Sequence, residues 1–236
     1  MGEMYKLSIR WNDLTIKAFK EASDYTNFHK NLSQHIKPLL VNCKTLCDIG
    51  CGLGLVDMYL KEYVDKITCI DIDENVIKYL EKEIKQKNIE NIECYLKDYK
   101  TIEEVFDVIL ISFFDYEEID FFSKHCKKLI VIVNDRVSSH IPLSLQKEER
   151  LKKHSSSNFE SLLKESNFNY KFEKCDLEFG QTFKSKKEIE DYAKSYDEGN
   201  QYEEIYNHII TNIKNNEKVV YYLPYRKNFS IFNIDF

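Results

Sequence analysis

No apolar run in this chain approaches the roughly 20 residues a helix needs to cross a bilayer, which excludes a helical membrane span. The stretch Met1 to Arg10 lacks the apolar centre of a secretory signal, so a cytoplasmic location is expected. Positive charge is in deficit: 34 Lys and Arg stand against 40 Asp and Glu, a formal charge of −6. Nucleic-acid binders neutralise phosphates with a basic surface, so nucleic acid is not the expected partner. Arginine occurs only at Arg10, Arg136, Arg150 and Arg226. The seven cysteines are odd in number and several fall inside expected strands, which argues against a disulfide framework. Cys43, Cys47 and Cys51 are four apart, not a CxxC pair, so they read as small apolar core residues and no metal site is expected. Internal repeats and low-complexity linkers are absent.

What is present suffices for one sizeable core: 43% of the residues are hydrophobic. Helices are expected over 11–40, where Ala18, Phe19, Ala22, Tyr25 and Phe28 form a broken apolar stripe, with Pro38 as the boundary. Strands and helices then alternate. Strands are expected at 45–49, 66–70, 92–96, 106–112 and 129–133, and helices at 53–63, 74–87, 116–125 and 158–165. Further strands follow at 170–178, 219–223 and 228–236, with helices at 185–196 and 202–213. Alternation of this kind predicts an α/β fold: a doubly wound, mostly parallel sheet covered by helices on both faces and closed antiparallel near the C-terminus. Ligands of such sheets sit beyond the carboxyl ends of the strands, where Asp48, Asp71, Asp98 and Ser112 all fall.

The stretch Asp48-Ile49-Gly50-Cys51-Gly52-Leu53-Gly54 lies between a strand and a helix. Glycines there let the backbone approach a ligand, and the free amides of a helix start favour an anion or nucleoside. The spacing is Gly-x-Gly-x-Gly, not the Gly-x-Gly-x-x-Gly of dinucleotide enzymes. Asp71, at the end of the second strand, is placed to accept from ribose hydroxyls; that spacing suits either nicotinamide dinucleotide or S-adenosylmethionine.

These residues resemble the class I S-adenosylmethionine-dependent methyltransferases. The glycine stretch is similar to that family's first motif, Cys69-Ile70-Asp71-Ile72 to its second, Asp98-Tyr99 to its adenine-contacting site, and Phe106 to Ser112 to its fourth strand. The resemblance covers about 45–133, and a looser one to bacterial small-molecule methyltransferases covers 162–183. It implies a Rossmann-like sheet of seven strands and S-adenosylmethionine as cofactor, with S-adenosylhomocysteine as product. Gly50, Cys51, Gly52 and Gly54 would pass the methionine part and Asp48 would face its ammonium. Asp71 would hold the ribose, Ile72 and Tyr99 would flank the adenine, Asp98 would accept from its amine, and Ser112 would lie near the reacting methyl.

The acceptor side reads less sharply. Ser112-Phe113-Phe114-Asp115-Tyr116 lacks the Pro-Pro-aromatic turn of enzymes acting on amide or adenine nitrogens. A small-molecule acceptor methylated on oxygen, nitrogen or sulfur is expected; an RNA or protein acceptor, and a non-catalytic binding module, are the alternatives. Asp115 and His140 are the candidate acid–base residues. Tyr25 and His29, four apart on one helix face, and Arg136 and Arg226, as anion clamps, are the candidate acceptor contacts. The whole of 1–236 is expected to form a single domain, with a helical lid over 1–42, a cofactor-binding core over 43–140 and a C-terminal half over 141–236. The sequence leaves monomer and homodimer open.

Overall fold

The computed structural model describes residues 11–114, 118–135, 142, 155–166, 168–197, 199–215 and 217–236. Its central strands are β1 (Thr45–Ile49), β2 (Lys66–Asp71), β3 (Ile92–Leu96), β4 (Phe106–Ser112) and β5 (Cys126–Asn134). All five run parallel, in the order β3-β2-β1-β4-β5. The sheet is completed by β6 (Tyr170–Glu178) at the edge and a long final strand, Arg226–Asp235, which pairs antiparallel with both β5 and β6. With β7 (Gln181–Phe183), β8 (Lys214–Asn215) and β9 (Tyr221–Leu223) forming a separate three-stranded antiparallel sheet, that final strand is β10. This is the seven-stranded, mostly parallel, Rossmann-like sheet.

The strands form because their runs are apolar on both faces, as a sheet covered twice requires. Val108, Leu110, Ile130 and Ile132 face one core, together with Leu46 and Cys69; Ile109, Ile111, Leu129, Val131 and Val133 face the other. The first core is closed by α1 (Asp13–Thr26), α2 (Phe28–Ile36), α3 (Asp57–Leu60) and α4 (Glu74–Gln86). The second is closed by α5 (Ile119–His125) and α6 (Ser156–Glu165), which insert Phe122, Phe159 and Leu163. The smaller sheet packs with α7 (Lys186–Ser195) and α8 (Tyr202–Asn212) around Phe183, Ile189, Tyr192 and Ile209. Helix starts follow side-chain capping: Asn12 forms a reciprocal capping box with Thr15, and Asp73, Ser155 and Ser185 each accept a first-turn amide.

Three local expectations are revised. The helix expected over 53–63 is reduced to α3, because Gly54 at φ +61° holds a turn and the chain must drop quickly to β2. The helical stretch over 11–40 breaks at Asn27, which takes the left-handed conformation at φ 55° and separates α1 from α2. α2 buries Phe28, Leu32 and Ile36 in the core on the sheet, and α1 adds Ala22 to the same cluster. The short strands β7 and β8 lack any alternation long enough to read in sequence. All seven cysteines are free thiols, and no described helix is long and apolar enough to cross a membrane.

Candidate active site

The corner begins with the end of β1. Alternation along the strands puts Asp48, Asp71 and Ser112 on the face shared by Leu46, Cys69 and Leu110. Past Ile49 the chain crosses the end of β2, where the amides of Gly50 and Cys51 both donate to the Ile70 carbonyl, at 2.8 and 3.2 Å. Gly50, Gly52 and Gly54 all take positive φ, +68°, +53° and +61°. A side chain at Gly50 would meet the Phe114 ring at 2.7 Å and one at Gly54 would meet Leu80 at 2.7 Å, so both positions require glycine for space as well as conformation. Above Gly52 the nearest atom is on the Trp11 ring, 3.6 Å from where a Cβ would stand. Trp11 is fixed there by the Asn75 side chain, which donates to its carbonyl, and by edge-on packing against Phe19 of α1.

Asp71 ends β2 with its carboxylate turned toward the loop. Its Oδ2 accepts from the Gly52 amide and its Oδ1 from the Asp73 amide, both at 2.9 Å. An ionised carboxylate has about four acceptor sites, more than these two amides use. Partial burial moves its pKa above the usual carboxylate range, against the pull of those amides. Next to it Ile72 exposes 47% of its surface. Asp98 accepts from the Lys100 amide at 3.0 Å, capping a single 3₁₀ turn. Tyr99 packs edge-on against Phe114 and Phe121.

Beneath the loop are two carboxyls. Asp48 is buried with no partner for its Oδ1 among the described residues, and Asp57 at the start of α3 is buried with neither oxygen in good hydrogen-bond geometry to any of them. Burial pushes the Asp48 pKa well above the ordinary range, and the adjacent Asp57 charge adds to it. Asp57 is itself pushed up to about 6, by burial first. Burial thus favours the neutral form of both carboxyls. Asp57 is a residue that sequence reasoning missed, although its place at the first turn after the glycine loop is a usable signal. The Ser112 hydroxyl, at the end of β4, is likewise buried, with no partner among the described residues.

Aromatic rings stand beyond the end of β4. Phe113, at φ 57°, follows Ser112, and its ring lies 3.2 Å from the Lys227 amine of β10. Phe28 and Phe179 stand within 6 Å of the same amine, at 5.7 and 5.9 Å. No carboxylate among the described residues pairs with Lys227, and desolvation lowers its pKa to about 7. Lys227 was also missed; its only sequence signal is its place at the start of the final strand, which puts it at the ligand edge of an otherwise parallel sheet.

The expected acceptor contacts are not brought together as a set. His29 lies in α2, not on the Tyr25 helix, because of the break at Asn27. It is buried among Phe19, Phe28 and Phe179, its Nδ1 lies 2.6 Å from the Ser23 hydroxyl, and burial and Lys227 lower its pKa to about 3. Tyr25 packs against Tyr222. Arg226 Nε and Nη2 donate to the side chain and carbonyl of Asp176, at 2.9 and 3.0 Å, at the β6 edge. Asp115, Arg136 and His140 lie outside the described residues.

Comparison with known proteins agrees with this geometry. Residues 46–130 match the family model of the methyltransferase domain. The ribosomal RNA small subunit methyltransferase A of Mesomycoplasma hyopneumoniae strain J is 32% identical over 111 residues, which span 42% of this chain and 40% of that protein. The chain thus spans less than half the length of that curated relative. The YcgJ protein of Bacillus subtilis superposes with a TM-score of 0.56 at 15% identity, covering 88% of this chain and 98% of that one. Magnesium protoporphyrin IX methyltransferase of Synechocystis, solved with bound S-adenosylhomocysteine, superposes at 0.54 and 12% identity, covering 96% and 89%.

S-adenosylmethionine fits what the corner offers: a carboxylate turned toward the loop, an exposed apolar side chain at Ile72, a glycine cradle, and a buried carboxyl oxygen with no partner among the described residues. The fold, the glycine corner and the matched segment agree: residues 46–130 are similar to the methyltransferase domain, on a Rossmann-like sheet of the same type.

Proposed function

We propose that this domain transfers the methyl group of S-adenosylmethionine to an oxygen, nitrogen or sulfur of a small-molecule acceptor, with Lys227 as the group that removes the acceptor's proton. The cofactor supplies an activated methyl on a sulfonium whose departure leaves a neutral sulfide, so no acid is needed for the leaving group. The chain's own tasks are to bind, to align and to exclude water. Asp71 would take the ribose hydroxyls, Ile72 the adenine face and Asp98 the adenine amine. The glycine loop and Asp48 would take the methionine end, and Ser112 would lie near the reacting carbon. Trp11 and α1 cover the loop and restrict water.

The observation that supports the acceptor reading is Lys227. An amine sheathed by Phe28, Phe113 and Phe179, with its pKa lowered to about 7, is in part neutral at physiological pH and can accept a proton. The rings beside it suit a planar or apolar acceptor. The acidic chain, and lysines already engaged elsewhere, weigh against a nucleic-acid groove: Lys184 is paired with Glu21, and Lys187 with Asp191. An RNA acceptor is the second reading, favoured by the partial match to the ribosomal RNA methyltransferase. Incubation with labelled S-adenosylmethionine and fractionated cell extract tests the choice: label in the small-metabolite fraction is expected, and label confined to RNA would overturn the proposal.

A further inference from the structure

A second cluster of chemistry-bearing groups lies away from the cofactor corner, where the last turn of α2 meets the edge strand β6. His35 Nδ1 stands 3.0 Å from Glu173 Oε1 and 3.7 Å from Cys175 Sγ, and the thiol and carboxylate are 3.8 Å apart. Glu173 and Cys175 are two apart on one strand and so share the face that α2 covers. In a tetrahedral zinc site, bonds of about 2.0–2.3 Å separate neighbouring donors by about 3.3–3.6 Å. The observed triangle is within a few tenths of an ångström of that size without any rearrangement of the backbone. One imidazole nitrogen, one carboxylate and one sulfur form a donor set suited to borderline-soft zinc rather than to magnesium or calcium.

We propose that His35, Glu173 and Cys175 bind one zinc ion, with water as the fourth ligand, and that the ion ties α2 to the sheet edge. Binding displaces the Cys175 thiol proton to solvent, and the imidazole coordinates in its neutral form through Nδ1. Cys175 is buried, while the His35 and Glu173 side chains remain 37% and 53% exposed, which leaves an entry path and room for the water. The site is structural: α2 carries Phe28, which stands beside Lys227, so a metal at its far end fixes that ring without touching the reaction. The inference is independent of what the acceptor is.

The bland alternative is a surface His35–Glu173 ion pair with a bystander thiol. Titrating the purified, chelator-stripped full chain with zinc and with cobalt separates the two. One equivalent is expected, with thiolate-to-cobalt charge-transfer absorption and protection of Cys175 from alkylation located by peptide mapping. Cys175→Ser and His35→Ala should each weaken zinc binding by more than about tenfold, with S-adenosylhomocysteine affinity unchanged as the measure of an intact fold. If a variant fails to fold, alkylation mapping of the wild type decides alone. Absence of stoichiometric binding at micromolar zinc, or protection mapping to any of the other six cysteines instead of Cys175, would overturn the proposal.

Discussion

Replacing Asp57 by asparagine should stabilise the cofactor-free protein at alkaline pH, and the amount follows from its burial. The Asp57 carboxyl is fully buried beside Asp48 and is pushed from an ordinary 3.8 up to about 6. Since the folded value is raised, its stabilising contribution is complete below 3.8 and is lost as pH rises through about 6. Over that window ionisation costs the fold on the order of 1–2 kcal/mol at pH 5 and about 3 kcal/mol at pH 8. Asparagine cannot ionise, so between pH 5 and pH 8 the wild type should lose on the order of 1 kcal/mol relative to Asp57→Asn. Any constant packing effect of the substitution cancels in that difference. For a chain of this size about 1 kcal/mol is roughly 2–4 °C in melting temperature. Urea unfolding followed by far-ultraviolet circular dichroism at both pH values measures it. Parallel pH profiles for the two proteins would show that the Asp57 carboxyl does not titrate in that window, and would refute the claim that burial raises it.

Asp71→Ala should weaken S-adenosylhomocysteine binding by about 1–3 kcal/mol, measured by isothermal titration, because it removes the acceptors proposed for the ribose; unchanged affinity would displace the ribose from this position. Gly50→Ala combines a left-handed backbone, costing about 1–2 kcal/mol, with a Cβ facing the Phe114 ring, and should reduce cofactor affinity by at least about tenfold at unchanged helix content. For Lys227→Met, kcat/KM should fall and lose its acidic limb: in the wild type the rate declines below about pH 7 as the amine takes up a proton. A variant that keeps that limb would assign it to another group.

The sheet and the cofactor corner were legible in the sequence because both are local. Strands such as Phe106–Ser112 are apolar over their whole length, and the turn after Ile49 demands three glycines in a fixed spacing. Asp48, Asp71 and Ser112 end consecutive parallel neighbours, so their convergence follows from alternation and strand order alone. Tertiary structure decided the rest. The break at Asn27 turned His29 away from Tyr25 and into the core, and no periodicity marks a single left-handed residue. Lys227 acquires its role only when β10 returns antiparallel beside β5 and sets its amine against Phe113, more than a hundred residues away in the chain. Asp57 meets Asp48 only when α3 folds under the loop, and His35 meets Cys175 across 140 residues. Spacing along a chain specifies contacts within one turn or one strand; burial, desolvation and the meeting of distant donors are created only when the layers close.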